Sequence, residues 1–183
     1  EYWCPRITTA FGVGSILYFV AVIFYFFAKM IPFGFSGGGE YIQSNEDTFF
    51  SVFHITYVEQ FVWNCSRGYI ALILVVSMTI LISVLMERIM AGIVVVSFYW
   101  ILLLIMEKVI SFEVNHIFAN FMPLRLSGSK DFYTHNEIYR FAGKTFDAMI
   151  WCSAVAMVLS AFMVGIAVWW LRRKTVGVKK HMI

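Results

Sequence analysis

The stretch that decides the fold is SVLMERIMAG, residues 83–92, which places Glu87 and Arg88 inside an otherwise uncharged run from 68 to 106. As a single helix this run would be about 58 Å long, nearly twice the roughly 30 Å of a bilayer's hydrocarbon core. Both charges would then lie near the bilayer centre, at a cost of about 2.5–3.5 kcal/mol each. The sequence therefore predicts two membrane spans joined by a tight polar turn at Glu87 and Arg88, with Gly92 favouring close packing just after it.

The overall composition places the rest of the chain in the same class. Of its 183 residues, 61% are hydrophobic and 14% are charged, whereas a soluble domain carries about 25% charged residues. We expect an all-α, polytopic integral membrane helix bundle that forms a single membrane domain over 1–183. The predicted spans are 11–31, 68–86, 89–107 and 148–171; the outer loops are 32–67 and 108–147, and the tail is 172–183.

The Lys and Arg residues predict the orientation of these spans. They divide equally between the two sides, but they are densest in RRKTVGVKK (residues 172–180), directly after the last span. Because positive charge close to span ends dominates orientation, both ends of the chain and the Glu87-Arg88 turn are predicted to be cytoplasmic, in the plasma (inner) membrane. The net charge of +3 comes largely from this tail and does not indicate nucleic acid binding.

The two outer loops leave structural alternatives open. In the first, residues 49–66 are aromatic but carry several polar groups, which favours an interfacial helix leading into the second span over a fifth span. In the second, Pro123 and the turn after it separate two amphipathic pieces, VNHIFANFM and NEIYRFAGKTF. These pieces predict either two short interfacial or re-entrant helices or an ordered loop on the outer surface.

No pattern of a known catalytic or metal site is present in the sequence. It contains no P-loop, no GxSxG, no HExxH and no metal-spaced Cys/His set. None of the four histidines lies in the middle of a span, which argues against a haem, and the interiors of the predicted spans lack Asp, Glu, Lys and Arg. Cys65 and Cys152 both fall near outer span ends, so a disulfide is conceivable, although buried thiols are the simpler reading. We expect no catalytic residue, cofactor or metal, and no enzyme activity in this chain.

The order of several short motifs is more informative than any one of them. Five segments carry it: CPRITTAFG (4–12), SVLMERIMAGI (83–93), FANFMPLRLSG (118–128), EIYRFAGKTF (137–146) and WWLRRK (169–174). Together they resemble the C-terminal two-thirds of a membrane permease subunit of the type-2 ABC exporter family. Such permeases have six spans, of which this chain would supply about four.

The resemblance implies partners and functional surfaces. A separate ATP-binding subunit would drive transport, a second permease subunit (the same or a different chain) would complete the substrate path, and membrane lipid would surround both. The residues expected to face the ATPase are Pro5, Arg6, Glu87 and Arg88. The residues expected to form an outer gate are His116, Pro123, Glu137, Tyr139 and Gly143.

Two other classes of membrane protein remain open at this stage. A non-catalytic anchor or scaffold subunit of a respiratory or other redox membrane complex would have the same apolar spans. A channel component would need a hydrated lining, yet the polar residues inside the predicted spans are few and small, as is typical of helix packing.

Overall fold

The structure is a computed structural model that describes residues 3–34, 36–49, 51, 53–109, 123, 126, 133, 138–141 and 144–180. Its long helices are α1 (Trp3–Phe33), α2 (Tyr57–Leu85), α3 (Ile89–Val109) and α4 (Ala148–Lys180), and a two-stranded antiparallel hairpin, β1 (Ile138–Phe141) and β2 (Lys144–Asp147), precedes α4. The architecture is thus the expected all-α membrane-type bundle, with one small β element added to it.

The long apolar run breaks where the two charges predict it. Helix α2 ends at Leu85, and the N–H of Met86 donates to the carbonyl of Ile82 at 2.9 Å as the helix cap. Glu87 follows with φ 58°, in the left-handed region, and α3 begins at Ile89. A left-handed residue directly after the cap is a common way to end a helix. The chain therefore reverses within three residues.

Helix α2 is the centre of the bundle. Gly14 of α1 lies against Leu72 and Val76 of α2, and Tyr18, further along α1, donates to the Cys65 carbonyl nearer the start of α2, so α1 runs antiparallel to α2. Helix α3 also runs antiparallel to α2, because it begins directly after the turn and its Gly92 lies against Thr79 and Ser83. Helix α4 runs parallel to α2, since Ala71 and Leu74 pack with Cys152 and Ala156 while Val84 packs with Ala167 and Leu171. The start of α1, the Met86–Arg88 turn and the end of α4 therefore share one end of the bundle, called here the turn end. The opposite end, with residues 36–56 and the hairpin, is the loop end.

Three of the helices are long and apolar enough to cross a membrane, judged by length and composition: Pro5–Ile31, Tyr57–Leu85 and Ala148–Lys174. The described apolar stretch of α3, Ile89–Leu102, is shorter. The whole of α3 has 21 residues and a length of about 31 Å, close to one hydrocarbon core. Large apolar side chains such as Phe24 and Ile31, each 76% exposed, suit a lipid environment.

Helix α2 begins well before its predicted start because its N-terminus is capped. The Thr56 hydroxyl accepts from the Glu59 N–H at 3.3 Å, and the Glu59 carboxylate accepts from the Thr56 N–H at 2.8 Å. This reciprocal capping box satisfies donors that a helix start leaves open. Residues 57–66, where a helix leading into the second span was expected, are therefore helical and continuous with that span as part of α2, whereas residues 51 and 53–56 are not helical.

The segment before α4 also differs from its prediction. Either a short helix or an ordered loop was expected in NEIYRFAGKTF, but Ile138–Phe141 and Lys144–Asp147 pair as antiparallel strands, with Ile138 opposite Asp147 and Phe141 opposite Lys144. Aromatic and β-branched residues fit a pleated surface. Pairing with a neighbouring strand also satisfies the backbone groups of a segment this short better than an isolated helical turn does.

The first loop folds into a compact cover at the loop end. The Ile42 N–H donates to the Ile55 carbonyl at 3.0 Å, and the Tyr57 N–H donates to the Glu40 carbonyl at 3.1 Å. Short 3-10 turns at Ser36–Gly39, Ile42–Ser44 and Glu46–Thr48 build the rest of this loop. As a result Ile42 is fully buried and forms part of the core described below.

Candidate functional sites at the two ends of the bundle

An ion pair joins distant parts of the chain at the turn end. The Lys174 ammonium donates to the Glu87 carboxylate, connecting the last part of α4 to the turn between α2 and α3. This hydrogen bond and the charge of Lys174 lower the pKa of Glu87 below its ordinary value. A left-handed conformation is unusual for a residue other than Gly, Asn or Asp. The ion pair of Glu87 with Lys174 joins α4 to the turn, a contact that Gly, which has no side chain, could not make at this position.

The turn end is strongly basic. The described cations there are Arg6, Arg88, Arg172, Arg173 and Lys174, and Glu87 is the only acidic side chain described at this end. The Arg173 guanidinium lies 4.4 Å from the ring centroid of Trp169, so these two side chains of α4 form a cation–π contact. Positive charge therefore exceeds negative charge at this end.

The four residues predicted to face an ATPase lie at this same end, although two of them are not in a loop. Pro5 and Arg6 belong to the first turns of α1, where proline is tolerated because the N–H groups there have no intrahelical acceptor. Both are exposed, as are Glu87 and Arg88. The fold thus brings residues 5–6 and 87–88 to one end of the bundle.

A cleft of about 210 Å³ lies between α1, α2 and α3 at the turn end. Its walls are apolar: Ile7, Ala10, Ile80, Val84, Ile89 and Ile93. Two residues in the lining have hydroxyls that donate to backbone carbonyls: Thr79 donates to the carbonyl of Val75 at 2.8 Å, and Ser83 donates to the carbonyl of Ile89 at 3.5 Å. Arg6 is the charged residue of the lining.

A second polar cluster surrounds Arg67 near the loop end. Arg67 lies ten residues into α2, about 15 Å along its axis, and is only 2% exposed. Its guanidinium donates to Asn64 Oδ1 and lies 5.3 Å from the ring centroid of Tyr133. The Tyr133 hydroxyl donates to the same Asn64 oxygen at 3.3 Å. A charge buried in an apolar bundle is costly unless its partners are well placed, so the contacts with Asn64 and Tyr133 offset part of the cost of burying Arg67.

Tyr133 connects this cluster to two other parts of the structure, the first loop and the start of α4. It is fully buried and packs with Ile42 of the first loop and with Ala148 and Met149 of α4, while its ring meets Phe53 edge-on at 5.9 Å. Burial is the main cause that raises the pKa of its hydroxyl; the guanidinium of Arg67 lowers that pKa and the nearby charge of Asp147 raises it.

Asp147 has a structural role of its own at the start of α4. Its carboxylate accepts from the Met149 N–H at 2.9 Å, which satisfies a donor of the first helical turn and places negative charge at the helix N-terminus. The same negative charge also acts on the buried Arg67 guanidinium. This attraction between opposite charges favours keeping the start of α4 near the Arg67 cluster.

Sequence reasoning missed this cluster. The predicted span 68–86 contains no Asp, Glu, Lys or Arg, but α2 begins at Tyr57, so the membrane-length helix also includes Arg67. The signals that could have found it were the Asn64–Arg67 spacing of three, which puts both side chains on one helix face, and an Asp just before an apolar run.

The predicted outer gate lies mostly outside the described residues: His116, Glu137 and Gly143 do so entirely. Tyr139 belongs to β1, and Pro123 is helical and buried. The gate assignment therefore stays a prediction for all five residues, and the described contacts at this end centre instead on Arg67 and Tyr133.

Metal and thiol chemistry have no visible basis in the described part of the chain. No group of three or more His, Cys, Asp or Glu side chains is close enough there to hold a metal ion. His54 is exposed, and its Nδ1 atom lies 3.2 Å from Gln43 Nε2. Cys65 and Cys152 are both free thiols, so they do not form the conceivable disulfide.

Comparison of this chain with protein-family models, with curated proteins and with solved structures found no match.

Proposed function

We propose that this chain is the membrane-spanning permease subunit of an ATP-driven exporter in the plasma membrane, with both of its ends cytoplasmic. A separate ATP-binding subunit would supply the energy, and a second permease subunit would complete the substrate path. One observation carries the proposal: Arg6 and the Glu87-Arg88 turn, from distant parts of the sequence, meet at one end of an apolar bundle, as a docking face for a cytoplasmic partner requires.

The contacts at that end support a route for mechanical coupling. The turn is short and its charged side chains are exposed, so a partner can reach them. Through Glu87 and Lys174 the turn is also tied to α4, and α4 packs along α2 to the loop end. A force on the turn would therefore act on α2, which carries Arg67, and on α4, whose first residues pack against Tyr133.

At the loop end, the proposal gives Arg67 and Tyr133 the role of an outer closure. They hold α2, the first loop and the start of α4 together. Outward release of substrate would require these contacts to separate and then to form again.

The docking face can be tested by crosslinking in cells. In a background with the native cysteines replaced by Ser, we expect an Arg88→Cys variant to crosslink to a co-purifying ATP-binding chain. A His54→Cys variant is the matched control, because His54 is also exposed but lies at the loop end. It should give no such crosslink and should react with an impermeant thiol reagent added outside.

The opposite labelling pattern would reverse the orientation and remove the proposal. Purification of the chain with a redox subunit and no ATP-binding chain would favour the anchor or scaffold role in a redox complex instead.

A further inference from the structure

We propose that the outward face of α4 is a binding site for an anionic phospholipid. The headgroup phosphate would bind the Arg173 guanidinium, and one acyl chain would lie along the helix past Trp169 to Phe162. The proposal requires only that the bundle lies in a bilayer. It depends neither on the export function nor on which side of the membrane the turn end faces.

This face is a continuous exposed stripe along α4. Its members are three or four positions apart, which places them on one side of the helix, and all are exposed: Val158, Phe162, Gly165, Trp169 and Arg173. The opposite side of α4 is the one that packs on α2. At Gly165 no atom lies within 4 Å of an added Cβ, so the stripe has an open notch between Phe162 and Trp169. An acyl chain can therefore lie along α4 without displacing another part of the protein.

The length of the stripe matches one leaflet of a bilayer. Phe162 and Arg173 are separated by a rise of about 16 Å along the helix axis, and half of a hydrocarbon core is about 15 Å. Tryptophan is enriched at the boundary between membrane and water, and Trp169 lies one helical turn before Arg173. A lipid with its phosphate level with Arg173 therefore has its chain end near Phe162.

The cation at the end of the stripe selects the headgroup. The Arg173 guanidinium lies 4.4 Å from the Trp169 ring centroid, which places it directly beside the apolar stripe. No described carboxylate pairs with it, because Glu87, the one acidic side chain described at this end, binds Lys174. Guanidinium N–H donors bind a phosphate in pairs, and cations next to the end of a membrane helix attract anionic lipids. An anionic phospholipid therefore fits this face better than a zwitterionic one.

The test is photocrosslinking of the purified full chain in bilayers that contain equal amounts of phosphatidylglycerol and phosphatidylcholine. Benzoylphenylalanine, a photoreactive amino acid, replaces Phe162 in one variant and Phe98 of α3 in the matched control. The two side chains are 65% and 66% exposed, and Phe98 lies about 14 Å into α3 from the turn, on a helix without an arginine. Mass spectrometry of the adducts at Phe162 should show about a fivefold excess of phosphatidylglycerol, the effect of one cation near an anionic headgroup. The adducts at Phe98 should show the bulk lipid ratio.

Charge variants in the Phe162 background then locate the headgroup. Arg173→Gln should abolish the excess of phosphatidylglycerol, because it removes the cation at the end of the stripe. Arg88→Gln is the matched control: it removes the same charge at the same end of the bundle, from an exposed residue of the turn, and it should leave the excess unchanged.

Three results would overturn the proposal. An equal excess at Phe162 and Phe98, or equal losses in Arg173→Gln and Arg88→Gln, would show general attraction to the basic end of the bundle. An excess that survives Arg173→Gln would place the headgroup elsewhere. Adducts between two copies of the chain at Phe162, in place of lipid adducts, would show that a second protein chain covers this face.

Discussion

Replacement of Gly92 by Ala isolates the close contact between α2 and α3. The new methyl carbon would lie 2.8 Å from the Thr79 carbonyl oxygen and 3.1 Å from Ser83 Cβ, and closer still to the Ser83 hydroxyl. Ordinary van der Waals contact begins at 3.4 Å, so α3 would have to withdraw by about 0.6 Å from a backbone atom that cannot rotate away. Overpacking of this kind costs about 1–3 kcal/mol.

Two other helical glycines provide matched controls for this substitution. No atom lies within 4 Å of an added Cβ at Gly12 or Gly165, so Ala at either position should give only the helix-propensity gain of about 0.8–1.0 kcal/mol. The gap in unfolding free energy between Gly92→Ala and Gly165→Ala should therefore be about 1–3 kcal/mol. For a chain of this size it corresponds to about 2–12 °C in Tm.

The measurement is thermal unfolding of the purified variants in one detergent, followed by helical circular dichroism. Adding Ser83→Ala to Gly92→Ala should restore part of the loss, because it removes the hydroxyl but leaves the Thr79 carbonyl in place. Equal midpoints for the Gly92 and Gly165 variants would refute the close α2–α3 packing and, with it, the shape of the cleft.

Three further predictions concern the helix ends. Tyr133→Phe should lower the free energy of unfolding by about 0.5–1.5 kcal/mol, the net contribution of its hydrogen bond, and unchanged unfolding curves at neutral pH would count against the loop-end cluster. Because burial raises the pKa of Tyr133, this contribution should persist below the ordinary pKa of 10.0 and disappear as the pH rises through the higher folded-state pKa. Glu87→Gln should lower the unfolding midpoint at neutral pH, because the contact with Lys174 needs the ionised carboxylate. The difference from wild type should vanish as the pH falls below the ordinary pKa of 4.5 and through the lowered pKa of Glu87. A difference independent of pH would contradict the ion pair. Thr56→Ala should destabilise the chain by about 0.5–2 kcal/mol through loss of the α2 cap. The Thr9 hydroxyl donates only to the Pro5 carbonyl of its own helix, so Thr9→Ala should have little effect in the same unfolding assay. Similar losses of stability in both variants would show that Thr56 is not a cap.

The helix break at Glu87 and Arg88 could be predicted from the sequence because its cause is local. Two adjacent charges in an apolar run longer than one hydrocarbon core leave few alternatives. The left-handed conformation of Glu87 and its pairing with Lys174 could not be predicted, since both depend on where α4 ends in space.

The strands before α4 show the limit of local patterns. Residues 137–146 mix apolar and polar groups without a regular period, over too few positions to separate a helix from a hairpin. The pairing of Ile138 with Asp147 decided between them, and it depends on hydrogen bonds between two segments. Of the candidate site residues, Arg6 and Arg88 could be placed at one end from topology alone, because an even number of spans returns the chain to its starting side.

The sequence by itself determined the class of protein and the position of the central turn, because the cost of charge and open backbone groups in hydrocarbon applies residue by residue along the chain. Only the tertiary structure decided that Arg67 is buried beside Tyr133 and that Arg6 shares a cleft with Ile89. Burial of a polar group and the shape of a cavity depend on which surfaces meet, and residues 66 positions apart in the sequence can meet only once the helices have packed.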